Sequence, residues 1–361
     1  MILLTTSDRN LKKSFLVLND KDYSIEKEIP YQEELDSKII NTYEGKDICG
    51  NIIYSNRKDT FNPYGITCDE NNIYISSNEI ICSFYKKNFK YNKVVSKTGC
   101  KKTKNILYHN GYIYRCDTAV NCITKININT LEEIYIDAVE QKIIDKLPDS
   151  DSLSHLNFNN INSLYIENNI LYINCNNYIN FLSDENEEKL NNYKKLRDLS
   201  NEEYNELLKK TNENYIDDEY SLLKKIMLPQ YLNFSYYLTF NIETNKFNKK
   251  ANLIKSRSHK SLIVVNDIVW SCCPYRGSLI KKTKIETIEF NLVDKNIYSI
   301  KGLYKKKNKL YIFACIRKEI IEEKKYNDIK SKVCIFYLNT EKIEYKDLPD
   351  KIKVINNVLN I

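Results

Sequence analysis

The sequence predicts an all-β fold, a six-bladed β-propeller closed by its own two ends. Three observations predict it. One phrase recurs: a short apolar segment, a polar turn usually holding Asn, then an apolar-aromatic strand, at residues 65–75, 105–115, 162–173, 260–271 and 302–312. Each copy reads as a hairpin, and strand pairs repeating at roughly 40 to 55 residues mark a radially repeating β architecture. Two further strands follow each hairpin, giving the four-stranded unit of a propeller blade. The ends are complementary, because three N-terminal strands lack a first strand and one C-terminal strand lacks partners.

In chain order, residues 2–6, 15–18 and 23–29 read as second, third and fourth strands. Residues 31–62 have room for irregular strands, which leaves five or seven blades as the alternatives to six. The next unit has its later strands at 73–76, 79–85 and 91–95, and the one after at 112–116, 122–128 and 133–136. The fourth unit is broken by an insertion, residues 184–230, where Leu190, Tyr193, Leu196 and then Tyr204, Leu207, Leu208 recur at helical spacing. Ser200-Asn-Glu-Glu203 resembles a capping box there, and the apolar stretch 226–232 suits docking on the ring, with another protein as the alternative. That blade resumes at 237–242 and 246–253. Residues 351–357 supply the missing first strand, so pairing the two ends leaves no open edge. The chain reads as one domain over residues 1–361.

Composition fits this reading. Aromatics are 12% of the 361 residues, with 29 Tyr, which suits half-buried strands whose hydroxyls stay wet. Gly is only 7 and Pro only 6, so Asn and Asp must make the turns. The wealth of Asn, Lys, Ile and Tyr points to an AT-rich genome, a large DNA virus among the candidates. The net charge of +7 is spread as Lys along the chain without a basic stripe carrying aromatic stacking positions, so nucleic acid is not an expected partner. The 11 Cys are odd in number, lack framework spacing and sit among apolar neighbours; they read as reduced core residues, the vicinal Cys272 and Cys273 included. No signal peptide or membrane-spanning stretch is visible, so the expectation is a cytoplasmic protein without membrane association.

Residues 62–76, Asn-Pro-Tyr-Gly-Ile-Thr-Cys-Asp-Glu-Asn-Asn-Ile-Tyr-Ile-Ser, resemble the Pro-x-Gly-Ile, Asp, Ile-Tyr-Val-Ser phrase of six-bladed propellers of the NHL-repeat and SMP-30/gluconolactonase type. The other blades share the strand grammar. The resemblance implies a ring with a ligand-facing surface at its central channel. Its lactonase branch holds a divalent cation there; Asn62 and Asp117 are the matches in this sequence, while Glu44-Gly45 is followed by Lys46 rather than Pro, so the ligand set is incomplete. No cofactor is expected beyond such a cation.

In a blade the first strand begins and the second ends on one face, so those positions converge at the channel mouth. Lys outnumbers Arg about sevenfold, yet four of the seven Arg, namely Arg9, Arg115, Arg276 and Arg317, fall at second-strand ends. Their planar forks suit carboxylate or phosphate. First-strand starts add Tyr64, Lys104, Asn105, His155, Asn157, Asn160 and His259. Together these read as a cationic, hydrogen-bonding mouth for an anionic or polar small molecule or a protein partner. The alternative for the arginines and histidines is structural pairing within the loops. The function expected is a non-catalytic binding or scaffold module. The competing reading is a propeller enzyme, hydrolase or lyase, on a small anionic or sugar-like substrate, with His155 or His259 transferring protons.

Overall fold

The computed structural model describes residues 1–6, 14–30, 39–46, 52–58, 63–77, 80–96, 98–99, 103–118, 122–138, 161–176, 235–247, 252–254, 259–317 and 329–361. Six antiparallel sheets form the blades. Blade 1 runs Asn357–Asn360, Ile2–Thr5, Ser14–Leu18, Ile25–Pro30. Blade 2 runs Ile66–Cys68, Asn72–Ser76, Ile81–Tyr85, Tyr91–Val94. Blade 3 runs Thr103–His109, Tyr112–Asp117, Cys122–Asn127, Glu133–Asp137. Blade 4 runs Ile161–Glu167, Ile170–Cys175, Ser235–Asn241, with Lys246–Phe247 and Asn252–Ile254 both pairing to the third strand. Blade 5 runs Leu262–Val265, Ile268–Cys273, Ser278–Lys282, Thr287–Asn291. Blade 6 runs Tyr298–Lys306, Lys309–Ile316, Lys332–Tyr337, Ile343–Asp347.

The ends close the ring, with Ile2 opposite Asn360 and Thr5 opposite Asn357. The closing strand lies later than residues 351–357. The preceding stretch buries Ile352 and Ile355 in the cluster between blades 6 and 1, and their spacing of three does not alternate as a strand must. Within residues 31–62, Ile39–Lys46 and Ile52–Lys58 form a hairpin, and Thr98–Gly99 adds to it in parallel, making a separate three-stranded sheet. The insertion expected at 184–230 lies outside the described residues.

The core sits between blades. Along Asn72–Ser76, Ile73 and Ile75 pack toward blade 1 with Leu3, Phe15 and Val17, while Tyr74 packs toward blade 3 with Ile106 and Ile113. Alternation thus buries both faces, and the strand reads as a continuous apolar run. Trp270, Cys272 and Leu279 of blade 5 meet Ile300, Ile312 and Phe336 of blade 6 in the same way. Asn makes the turns: Asn168 and Asn169 (φ 49° and 60°) and Asn266 and Asp267 (51° and 60°) each place two consecutive left-handed residues at a hairpin tip. That geometry matches the twist of the flanking strands.

Candidate functional site

Every first strand carries an irregularity at one equivalent place. In blade 3 the register passes from Thr103 opposite Asp117 to Ile106 opposite Arg115, so Lys104 and Asn105 both face Cys116. The same count puts Ile161 and Asn162 opposite Cys175 in blade 4, and Ile300 and Lys301 opposite Ala314 in blade 6. In blade 2 the Tyr64 N–H donates to Ser76 O and the Ser76 N–H to Gly65 O. In blade 5 the Lys260 N–H donates to Cys272 O and the Cys272 N–H to Ser261 O. In blade 1 the Asn356 N–H reaches Thr5 O while Asn357 pairs with Thr5. Each is a β-bulge, two residues against one, a device that re-aims side chains. The six residues faced by the bulges, Thr5, Ser76, Cys116, Cys175, Cys272 and Ala314, are all small and fully buried, as suits the place where neighbouring blades converge.

The bulges build one cavity of about 110 Å³ at the channel mouth, lined by Tyr64, Lys104, Asn105, Asn162, Lys260, Ser261, Lys301, Asn356 and Asn357. Each of the six blades contributes. Blade-to-blade hydrogen bonds hold the ring: Asn356 Nδ2 donates to Pro63 O (2.5 Å), Thr5 Oγ1 to Tyr64 O (2.9 Å), Asn162 Nδ2 to His259 O (2.6 Å) and Ser261 Oγ to Lys301 O. At Gly65 any side chain would force a shift, since a Cβ would stand 2.7 Å from the Ile106 amide nitrogen and 2.8 Å from Ser76 Oγ.

Three lysines converge from three blades. Burial lowers the Lys260 ammonium from 10.5 to about 8, and the charges of Lys104 and then Lys301 push it the same way. Lys104 Nζ lies 5.1 Å from the centre of the Tyr64 ring. None of the described lining residues is Asp or Glu. A cavity of this size is below the roughly 300–1,000 Å³ of drug-sized ligand sites, and its lysines suit a small oxyanion held by charge-assisted hydrogen bonds.

Of the residues singled out from sequence, Tyr64, Lys104 and Asn105 line this cavity. His259 stands directly behind it, fully buried, its Nδ1 2.6 Å from Ser271 Oγ and its carbonyl accepting from Asn162 and Asn174 (3.0 Å); it fixes the backbone that carries Lys260. Arg115, Arg276 and Arg317 are placed elsewhere. Arg115 is buried within blade 3 and grips Asp117 with two bonds (Nε to Oδ1 2.6 Å, Nη2 to Oδ2 3.0 Å), and Thr124 donates to the same carboxylate. Burial raises the Asp117 pKa, with the Arg115 charge opposing. Arg276, half exposed, pairs with Glu289 at 2.9 Å. Arg317 staples the blade 5 and 6 loops through the carbonyls of Lys295 (2.5 Å), Pro274 and Tyr275 (3.2 Å each). Arg9, Asn62, His155, Asn157 and Asn160 lie outside the described residues. Burial also holds Cys272 as a thiol, well above its usual pKa.

Lys260 and Lys301 escaped selection because Lys is the background cation of this chain. The usable signal was their column: aligning the recurrent phrase places Tyr64-Gly65, Lys104-Asn105, Lys260-Ser261 and Asn356-Asn357 just before an apolar strand.

No protein-family model matches the sequence, and no curated protein matches it. Solved structures do. A chain of the nidogen/laminin complex is similar with a TM-score of 0.53 and 8% identity, covering 99% of this chain and 96% of that one. A protein of unknown function from Bacteroides caccae is similar with a TM-score of 0.51 and 8% identity, covering 99% and 97%. Virginiamycin B lyase from Staphylococcus aureus has a TM-score of 0.46 and 11% identity over 96% and 88%, too distant to carry an argument. The first two share this chain's fold and nothing finer: the protein is a six-bladed β-propeller.

Proposed function

We propose that the protein is a non-catalytic binding module that captures a small anionic, polar ligand at its channel mouth. The observation that carries this reading is the convergence of Lys104, Lys260 and Lys301, from blades 3, 5 and 6, on one cavity whose described lining has no carboxylate. Like charges brought together in a folded protein cost stability, and an anion between them offsets that cost. The same face suits a protein partner presenting a carboxylate or phosphate; the similar nidogen/laminin structure is a protein complex, which supports that use of the fold. A cytoplasmic, reducing location belongs to this reading, supported by nine described cysteines that are all free.

A second reading is an enzyme acting on a small anionic or sugar-like substrate. Lys260 favours it, because an amine titrating at about 8 can exchange protons near neutral pH. The test is a thermal-shift screen with inorganic phosphate, citrate and sugar acids. A ligand at 100 times its dissociation constant stabilises the fold by about 2.7 kcal/mol. The binding reading expects a shift that is lost when Lys104 and Lys301 are both changed to Met. Absence of any anion-dependent shift refutes it, and turnover of a shifting compound would move the protein to the second reading.

A further inference from the structure

Resting on the anion-site reading, we propose that Lys260 is a nucleophilic amine that condenses reversibly with an aldehyde or ketone whose anionic group is held by Lys104 and Lys301. Its place sets Lys260 apart from the other described lining groups, which are amides, a serine, a tyrosine and the two lysines whose charges act on it. Two conditions make a lysine reactive toward carbonyls, desolvation and cationic neighbours. Lys260 has both, and they arise from its place. It is the leading residue of the blade 5 bulge, aimed into the cavity, with Lys104 and Lys301 the two charges acting on it.

The effect on reactivity is large. At pH 7.4 an ordinary lysine is neutral in about one molecule per thousand, whereas an ammonium titrating at about 8 is neutral in about one in five. The neighbours then act twice, since they add to the neutral fraction of Lys260 and draw in the anionic end of the reactant. In the condensation the amine lone pair forms a C–N bond to the carbonyl carbon. The carbonyl oxygen leaves as water with the two amine protons, and an imine remains. No oxidant or reductant takes part. Buried His259 and its bonds to Asn162, Asn174 and Ser271 keep the backbone of Lys260 in place while its side chain changes partner.

The probe is pyridoxal 5′-phosphate, an aldehyde carrying a phosphate, added below one equivalent, reduced with borohydride and mapped by peptide mass spectrometry. The expected result is one dominant reduced adduct at Lys260, suppressed by inorganic phosphate and at least tenfold slower with pyridoxal, which lacks the phosphate. The pair Lys104→Met and Lys301→Met should slow it to a similar extent, and Lys260→Arg should remove it while leaving the melting temperature close to the parent's. Label spread over surface lysines, with Lys260 no richer than they are, overturns the proposal. If phosphate still raises the melting temperature in that case, the anion site stands and only the reactive amine falls. If phosphate has no effect either, both readings fall together.

Discussion

Replacing Lys260 with Met should make the protein more stable at neutral pH. Folding drops the Lys260 ammonium from 10.5 to about 8, a proton-affinity loss of roughly 2.5 units, or about 3 kcal/mol at 1.36 kcal/mol per unit. The group is a base with a lowered folded value, so the unfolded chain binds the extra proton between pH 8 and 10.5. Stability of the parent therefore rises with pH through that window. The penalty is present in full below pH 8 and gone above about 10.5. Met keeps an unbranched stem of similar length without the charge, so Lys260→Met should gain up to about 3 kcal/mol at pH 7, the gain shrinking above pH 8 and vanishing near 10.5. Guanidinium unfolding of both proteins at a series of pH values, in buffers without phosphate or citrate, measures the difference. A variant no more stable than the parent at pH 7, or a difference that does not change with pH, would show that Lys260 is not held in a desolvated, like-charged place.

The two glycines at the inner ring give sharper steric tests. Gly65→Ala should cost about 1–3 kcal/mol, because its Cβ meets backbone of blade 3 at 2.7 Å and cannot move aside. Gly302→Ala meets Val358 Cγ2 at 2.5 Å instead, so a comparable loss should be partly restored by Val358→Ala in a double-mutant cycle. Asp117→Ala takes the bidentate partner from buried Arg115 and should cost about 3–5 kcal/mol, more than Arg115→Met with Asp117→Leu together. Deleting residues 357–361 removes the strand that pairs with Ile2–Thr5 and should abolish a cooperative unfolding transition.

The blades were legible because a hairpin leaves a local mark. Turns at 110–111, 168–169 and 266–267 fall where Asn, Gly and Asp precede an apolar-aromatic run, and those residues take left-handed backbone there. The closing strand was legible in kind and misplaced in register. Ile352 and Ile355 look like strand residues in sequence but are buried by the contacts of a crossover with Leu348, a long-range packing that no local pattern encodes. The three-stranded sheet was foreseen only as room for strands, since Thr98–Gly99 joins it across more than fifty residues.

The site was harder to read for a physical reason. Scarcity pointed to Arg, yet Arg115 and Arg317 spend their forks on a carboxylate and on backbone carbonyls, which is what a rigid fork does well inside a structure. The cations of the cavity are lysines, the commonest charged residue of the chain, distinguished only by where the bulges aim them. A bulge is invisible in one strand and appears only as an extra residue against a partner, so Lys301 shares a strand with Ile300 and Gly302 while facing the channel. The surroundings of the described arginines and of Lys260 differ in the same sense. Arg115, Arg276 and Arg317 sit beside groups that neutralise or satisfy them. Lys260 lies among like charges and loses proton affinity by folding. A position where local chemistry works against the fold, facing like charges from two other blades at one cavity, is the ground on which the proposed anion site rests.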